Sequence, residues 1–219
     1  IVAFVLAVIG IYMGFFVTPI DYRQGNSYRI IFIHIPCAWM SLFTYLMMAF
    51  YTIWALITKS KMAPVFAVAM APTGAIMGFI ALFTGSMWGR PTWGTYWVWD
   101  ARLTSMLILF FLYLGYIALH TAFDDWRKAD RAAAVIAIVG ALNVPIIYFS
   151  VRWWNTLHQG ASITTHGTSM ETTMFYTVLT MVAAMWIYCT GAIVRRARTV
   201  VLERYRREPW ARAAAAKEA

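Results

Sequence analysis

Six long apolar runs constrain the fold of this chain more than any other feature of its sequence. They cover about residues 1–17, 30–57, 64–87, 103–122, 132–150 and 173–194. Each is close to the roughly 20 residues that cross a bilayer as a helix. Hydrophobic residues make up 62% of the chain and charged residues 12%, whereas a soluble domain has about 45–50% and about 25%. The sequence therefore predicts an all-α integral membrane protein, a single domain built as a bundle of six transmembrane helices.

The distribution of Lys and Arg predicts how the bundle is oriented. Thirteen of the 18 basic residues lie in the segments on one side, which include a basic tail over 195–219, and five lie on the other side. Cytoplasmic loops are enriched in Lys and Arg, so we expect both termini in the cytoplasm. The outer face then carries segments 18–30, 88–102 and 151–172.

The net charge of +9 comes mostly from the basic tail. Basic residues that flank a membrane span favour contact with anionic lipid headgroups, and we do not expect nucleic-acid binding. The sequence begins at Ile1 rather than Met and shows no secretory signal peptide, so we expect a few N-terminal residues to be missing.

The second outer segment is unusually rich in tryptophan. Four of the 11 tryptophans lie between Trp88 and Trp99, in the stretch WGRPTWGTYWVWD. Single tryptophans are common at membrane surfaces, where the amphipathic ring suits the headgroup layer. This density is higher than that role requires, and Gly89, Pro91 and Gly94 are expected to break the helix. The stretch Trp88 to Asp100 therefore predicts an aromatic shelf for a flat, largely apolar ligand.

Two conformations of this shelf are compatible with its spacing. In an extended segment Trp93, Trp97 and Trp99 would share one face, and in a helix Trp93, Trp97 and Asp100 would do so. Asp100 also precedes the fourth apolar run directly, which predicts that it caps that helix. Capping is compatible with a second role in orienting the shelf.

Three of the four histidines lie on the predicted outer side, and two of them, His34 and His158, belong to or follow an apolar run. His34 lies in IFIHIPCAW, where Pro36 suits the first turn of a helix and so places His34 at the outer mouth of the second span. His158 follows the fifth run. That helix is predicted to bend at Asn143 and Pro145 and to continue outward as far as Gly160.

On such a helix, Trp154 precedes His158 by four residues, so the two rings would share one face. A histidine near a membrane surface most often serves as a hydrogen-bonding residue. Two histidines from different helices beside an aromatic shelf instead favour haem, whose iron takes axial ligands on opposite faces. His34 and His158 are therefore candidate iron ligands, with Trp88, Trp93, Trp97, Trp99 and Trp154 as ring contacts.

The remaining polar residues of the outer segments are open to more than one interpretation. Arg90, Arg102 and Arg152 could pair with haem propionates, with lipid headgroups or with Asp100. His166 lies in a polar loop and is a reserve ligand. His120 is expected to be only a helix-terminal residue.

The two cysteines, Cys37 and Cys189, each lie in an apolar run and are expected to be small buried side chains. The sequence contains no CxxCH motif, so covalent attachment of haem is not expected.

Several stretches resemble one family. WGRPTWGTYWVWDARLTS is similar to the tryptophan-rich "WWD" signature of haem-handling membrane proteins in cytochrome c biogenesis. Together with IFIHIPCAWMS, AFDD and VRWWNTLHQGAS, it resembles the cytochrome c maturation protein C (CcmC) family over nearly the whole chain.

The resemblance implies a protein that binds haem b at the periplasmic face of the bacterial inner membrane. In that family, two external axial histidines correspond to His34 and His158, and the haem passes to the periplasmic haem chaperone CcmE. The implied partners are the ABC transporter subunits CcmA and CcmB and the small membrane subunit CcmD. Such a protein is a haem-delivery platform rather than an enzyme.

Two other functions are compatible with a helical membrane protein. A cytochrome b-type electron-transfer subunit usually carries its histidines in the middle of spans, and no histidine of this chain is at mid-span. A membrane haem transporter would have broken helices around polar groups at mid-membrane. Pro72/Gly74 and Asn143/Pro145 are the sequence candidates for such breaks.

Overall fold

A computed structural model describes residues 1–160, 162–164 and 167–216, and these residues are mostly helical. In chain order the elements are α1 (Val2–Tyr12) with a π-helical continuation (Met13–Val17), a 3-10 turn (Ser27–Ile30), α2 (Ile31–Thr58), α3 (Ala63–Trp93), α4 (Ala101–Ala122), α5 (Trp126–Ala141), α6 (Asn143–Trp153), the two-residue strands β1 (Ile163–Thr164) and β2 (Gly167–Thr168), α7 (Thr172–Arg204) and α8 (Pro209–Ala216). The two strands pair in an antiparallel arrangement.

Among the described residues, five helical segments are long and apolar enough to cross a membrane. They are Ser27–Thr58, Ala63–Trp93, Ala101–Ala122, Trp126–Trp153 and Thr172–Arg204. The chain is therefore a multi-pass helical membrane protein, as predicted. The first predicted span corresponds to a shorter apolar helix, Val2–Val17, so the count of six spans stays a prediction.

The bundle is centred on α2 and α3, which pack along each other. The helix α7 packs against α1, α2 and α3, and α4 packs against α3, α5 and α6. At its core the rings of Tyr45 and Tyr113 meet edge to face, 4.8 Å apart, and the Tyr113 hydroxyl donates to the Ser41 carbonyl at 2.7 Å. Cys37 and Cys189 are free and completely buried, which confirms their predicted role as small core residues.

Side-chain oxygens cap the N-termini of three helices among the described residues. Asp100, Asp125 and Glu171 accept backbone N–H groups in the first turns of α4, α5 and α7, at 2.8 to 3.1 Å. These caps satisfy N–H groups that have no partner within the helix. The predicted cap at Asp100 is confirmed.

Two prolines are tolerated inside helices where the sequence suggested a boundary. The helix α2 begins at Ile31, so Pro36 lies inside it rather than in its first turn, while His34 does lie in that first turn. The helix α3 continues through Gly89 and Pro91 to Trp93, so the expected break there is wrong. Pro91 lies in the last turn, where its missing N–H removes a single helical hydrogen bond.

Gly94, at φ 82°, ends α3 in the left-handed conformation that glycine adopts readily. The first six residues of the tryptophan-rich segment are therefore helical, and the rest, up to Asp100, are not. Neither the fully extended nor the fully helical shelf matches this mixed structure.

The fifth span is interrupted at Leu142, next to the residues where a bend was predicted. The helix α5 ends at Ala141 and α6 begins at Asn143, whose side-chain amide donates to the Ser105 carbonyl on α4 at 2.8 Å. The predicted continuation to Gly160 is wrong, because α6 ends at Trp153 and Trp154 is extended.

The end of the bundle where α4 and α7 finish and α5 begins contains an ion pair. Arg204 donates to the Asp130 carboxylate at 2.7 Å, and its guanidinium lies over the Trp126 ring, 4.6 Å from the centroid. His120 lies in the last turn of α4, 3.7 Å from the same carboxylate, so its predicted helix-terminal position is confirmed. The 22 residues of α4 separate this pair from the other end of the bundle by about 30 Å.

Candidate functional site

A cavity opens where α2 begins and α3 ends. Residues from α2, α3, α4, α6, the segment between α3 and α4 and the loop after α6 line it. The empty space within it, which includes the solvent at its open mouth, is about 750 Å³. The lining residues include His34, His158, Trp88, Trp93 and Trp97, so the structure brings together five of the residues that the sequence singled out.

His34 is held by the neighbouring helix. Its Nδ1 lies 3.0 Å from the Ala81 carbonyl and 3.2 Å from the Thr84 hydroxyl, both on α3. A carbonyl only accepts hydrogen bonds, so Nδ1 carries the proton and donates. The unprotonated Nε2 then remains as the nitrogen that can bind a metal, and the hydrogen bond to the Ala81 carbonyl fixes the ring orientation.

His158 lies in the loop after α6 and follows the same hydrogen-bonding scheme. Its Nδ1 lies 2.8 Å from the Gln159 carbonyl, which again leaves Nε2 as the free nitrogen. Burial lowers the pKa of His158 from its usual 6.5 to about 4, and the nearby Arg102 guanidinium lowers it as well. At neutral pH the imidazole is therefore uncharged, which is the form that binds metals.

The two imidazoles lie close to each other. Their ring centroids are 6.4 Å apart and their planes differ by 34°. The Trp88 ring lies 5.7 Å from His34 and 6.2 Å from His158, and the Trp93 ring lies 6.0 Å from His158. Two histidines that are 124 positions apart in the sequence thus share one aromatic environment.

The four tryptophans of the predicted shelf do not have the same surroundings. Trp88 is 3% exposed and its indole N–H donates to Gln24 Oε1 at 2.8 Å. Trp97 lines the cavity, and its Nε1 is buried without a hydrogen-bond partner in the part of the chain that the structure describes. Trp99 meets Trp97 edge to face at 5.5 Å but is 76% exposed. It therefore belongs to the outer rim rather than to the cavity wall.

Asp100 connects two parts of the site. One carboxylate oxygen caps α4 through the backbone N–H of Leu103 at 2.8 Å. The other accepts the backbone N–H of Leu157 at 3.2 Å. The second hydrogen bond fixes the loop next to His158 against the start of α4. The predicted role of Asp100 in orienting the shelf stays a prediction.

Of the three arginines singled out as possible propionate partners, two are near the cavity and differ in their contacts. Arg102 lines it and donates to the Ile147 carbonyl on α6 at 3.3 Å. Arg90 is exposed, donates to the Gly94 carbonyl and lies over the Tyr96 ring, so it supports the end of α3 rather than the cavity. Arg152 is exposed near the end of α6.

Trp154 does not stack along a helix with His158, because α6 has already ended. Its ring instead meets that of Trp153 at 5.7 Å and is half exposed. The loop turns back over the cavity at this point, and the Asp100 carboxylate accepts a backbone N–H that a continuing helix would have bonded internally. His166, the reserve ligand, lies outside the described residues.

Sequence reasoning missed two residues near the site. Gln24 reaches Trp88 from the first outer segment, 64 positions away, and no local pattern predicts that contact. Gly85 lies one helical turn before Gly89, and a Cβ there would lie 3.0 Å from the Cε1 of His34. The one sequence feature that pointed to Gly85 was its spacing of three residues from Trp88, which places both on the same face of a helix.

The fold and this cavity define a multi-pass helical membrane protein with paired histidines in a tryptophan-walled site. The family model described as "Heme exporter protein C" (CcmC) matches residues 1–212, and the chain belongs to this family.

Curated relatives agree with that assignment. The chain is 46% identical over 210 residues to heme exporter protein C of Escherichia coli K12, which covers 96% of this chain and 85% of the relative. It is 47% identical over 201 residues to heme exporter protein C of Bradyrhizobium diazoefficiens, and the match covers 91% of this chain and 76% of the relative. A putative cytochrome c biosynthesis ccmC-like mitochondrial protein of Marchantia polymorpha is 44% identical over 201 residues, covering 91% and 85%.

Proposed function

We propose that this chain binds haem b non-covalently in the cavity, through Nε2 of His34 and of His158, and presents it for transfer to a haem chaperone. The relatives named heme exporter protein C and the relative named for cytochrome c biosynthesis support a role in haem handling. The observation that carries the proposal is the 6.4 Å between the two imidazole centroids, with both Nδ1 atoms already engaged.

The spacing of the two rings suits a single metal ion between them. An imidazole nitrogen binds a metal at about 2 Å and its ring centroid lies about 1 Å further back, so two opposed ligands have centroids about 6 Å apart. Haem supplies an iron centre whose two axial positions are open to protein ligands. His34 and His158 are the residues that would occupy them.

The walls of the cavity suit the rest of the porphyrin. Trp88 and Trp93 offer aromatic surface beside the histidines. The unpartnered indole N–H of Trp97 and the guanidinium of Arg102 are donors that a propionate could accept from. A buried N–H without a partner costs about 1–3 kcal/mol, so an acceptor on the ligand would remove that cost.

The proposal places the cavity at the periplasmic face of the bacterial inner membrane, with both termini in the cytoplasm. The bias of Lys and Arg towards the opposite side supports this orientation. The proposed partners are the chaperone CcmE, the transporter subunits CcmA and CcmB, and the small subunit CcmD, as the family resemblance implies. The chain itself acts as a binding platform rather than an enzyme.

The test is the visible spectrum of the purified protein after addition of haem. We expect a Soret band that shifts or weakens in His34→Ala and in His158→Ala, and no haem retention in the double variant. His120→Ala, about 30 Å away at the other end of α4, is the matched control and should keep the wild-type spectrum. An unchanged spectrum in both single variants would overturn the proposal.

A further inference from the structure

We infer that Gln24 is a positioning residue for the haem site and that it acts through Trp88. The inference rests on the proposed function. The side-chain carbonyl oxygen of Gln24 accepts the indole N–H of Trp88 at 2.8 Å. Gln24 does not itself line the cavity, whereas Trp88 does.

Trp88 is the residue through which a small rotation would affect both histidines. Its ring is within 5.7 Å of His34 and 6.2 Å of His158, and 6.0 Å from Trp93. Because the ring is 3% exposed, solvent cannot readily replace its hydrogen-bond partner. The orientation of the indole is therefore fixed by one polar contact and by the packing around it.

Gln24 is itself held in a tight turn. Its backbone N–H donates to Asp21 Oδ1 at 2.7 Å, and its carbonyl accepts the hydroxyl of Ser27 at 2.5 Å. Gly25 has φ 57°, a left-handed conformation that favours glycine. With both backbone groups of Gln24 engaged, the turn holds the side chain over the end of α3.

The two ends of the same outer segment are joined to each other and to the π-helical continuation of α1, where Arg29 donates to the Gly14 carbonyl. The hydroxyl of Tyr28 donates to the Pro19 carbonyl at 2.7 Å, and Arg29 donates to the Thr18 carbonyl at 3.0 Å. The first outer segment thus forms a braced support whose contact with the site is the hydrogen bond between Gln24 and Trp88. A glutamine suits this position because its side-chain carbonyl oxygen is an acceptor that can reach the indole N–H.

The first measurement uses the haem-free protein. The Trp88 indole N–H resonance is assigned by its loss in Trp88→Phe after ¹⁵N labelling of tryptophan. In Gln24→Leu this resonance should move upfield, because the hydrogen bond is lost, and in Gln24→Glu, whose carboxylate also accepts, it should not. Arg23→Gln, in the same turn but exposed, is the control.

The second measurement is the rate of haem release to an excess of apomyoglobin. Gln24→Leu should release haem about fivefold faster or more, since a loss on the order of one hydrogen bond changes binding about tenfold. Gln24→Glu should stay within about twofold of wild type, and Gln24→Leu should add nothing in a Trp88→Phe background.

If Gln24→Leu releases haem at the wild-type rate, the inference is overturned, whether or not the indole resonance moves. Equal effects of Gln24→Leu with and without Trp88→Phe would overturn it as well. If the haem spectrum is unchanged in both His34→Ala and His158→Ala, the proposed function is overturned instead. The indole resonance would still report on the hydrogen bond between Gln24 and Trp88.

Discussion

Asp100 accepts the backbone N–H of Leu157 at 3.2 Å, although the two residues are 57 positions apart. The other oxygen of the same carboxylate caps α4. One side chain therefore starts the helix that carries Arg102 and holds the loop that carries His158. Removing this side chain should affect both the stability of the fold and the site.

For Asp100→Ala we expect a loss of about 1 kcal/mol in stability from the missing cap, together with faster haem release. Asp100→Asn keeps one carbonyl oxygen for the cap, but its amide nitrogen cannot accept from Leu157. It should be near wild type in stability and intermediate in release. Thermal unfolding and transfer to apomyoglobin measure the two effects, and wild-type release by Asp100→Ala would contradict the prediction.

Gly85 allows His34 to lie close to α3. A methyl group at this position would come within 3.0 Å of Cε1 and 3.4 Å of Nδ1 of His34. Gly85→Ala should therefore displace the ring and shift the Soret band. Gly191→Ala is the matched control, because no atom lies within 4 Å of its Cβ position. It should keep the spectrum and increase stability by about 0.5–1 kcal/mol. Identical spectra for the two variants would refute the close approach.

The low pKa of His158 predicts a definite pH dependence in the haem-free protein. Burial lowers this pKa to about 4, and Arg102 lowers it as well. Between pH 6.5 and 4 the unfolded chain binds this proton and the folded chain does not, so the contribution of His158 to stability falls as the pH is lowered through this range.

We expect the NMR signal of His158, assigned by its loss in His158→Ala, to titrate near pH 4. In Arg102→Gln the midpoint should rise towards 6.5, because the neighbouring positive charge is gone. A wild-type midpoint near 6.5 would contradict the prediction, because the half-buried ring would then titrate like an exposed imidazole.

The exposed tryptophans on the rim should serve transfer rather than binding. Trp99 is 76% exposed and Trp154 is half exposed, and both lie in the outer segments that we expect to receive the chaperone. Trp99→Ala should retain haem within about twofold of wild type but slow its transfer to CcmE, since exposed aromatic residues often anchor interfaces. Trp93→Ala, which removes a cavity wall, should weaken retention itself. Loss of haem from Trp99→Ala would place this ring in the binding site instead.

The sequence predicted those features that depend on local pattern. Apolar runs of bilayer length located the membrane helices, and Asp100 in front of such a run was sufficient to predict the cap. The bias of Lys and Arg defined an outer side, and the position of His34 and His158 beside the tryptophan-rich segment on that side singled them out. The structure brings both to one cavity.

The features that the sequence did not predict depend on contacts between distant parts of the chain. The helix α3 runs past Pro91 because one lost hydrogen bond near a helix end is a small cost beside the packing of a long buried helix. The loop after Trp153 leaves the helical path where Asp100 offers Leu157 a different partner. The separate positions of Trp97 and Trp99 follow from this irregular backbone, which has no repeating period to read.

The two candidate ligands are attached to the protein in unequal ways. His34 belongs to a helix of 28 residues and is hydrogen-bonded to a second helix. His158 lies on an irregular loop, and its Nδ1 partner is its own neighbour in the chain. Haem held between them would have one firmly fixed side and one side that a small loop movement could free. Because of this asymmetry, haem should dissociate in a fixed order: the bond to His158 breaks first, and the bond to His34 persists until the chaperone is bound. Haem should accordingly be lost faster from His34→Ala than from His158→Ala, and the reverse order of rates would assign the lasting hold to the loop.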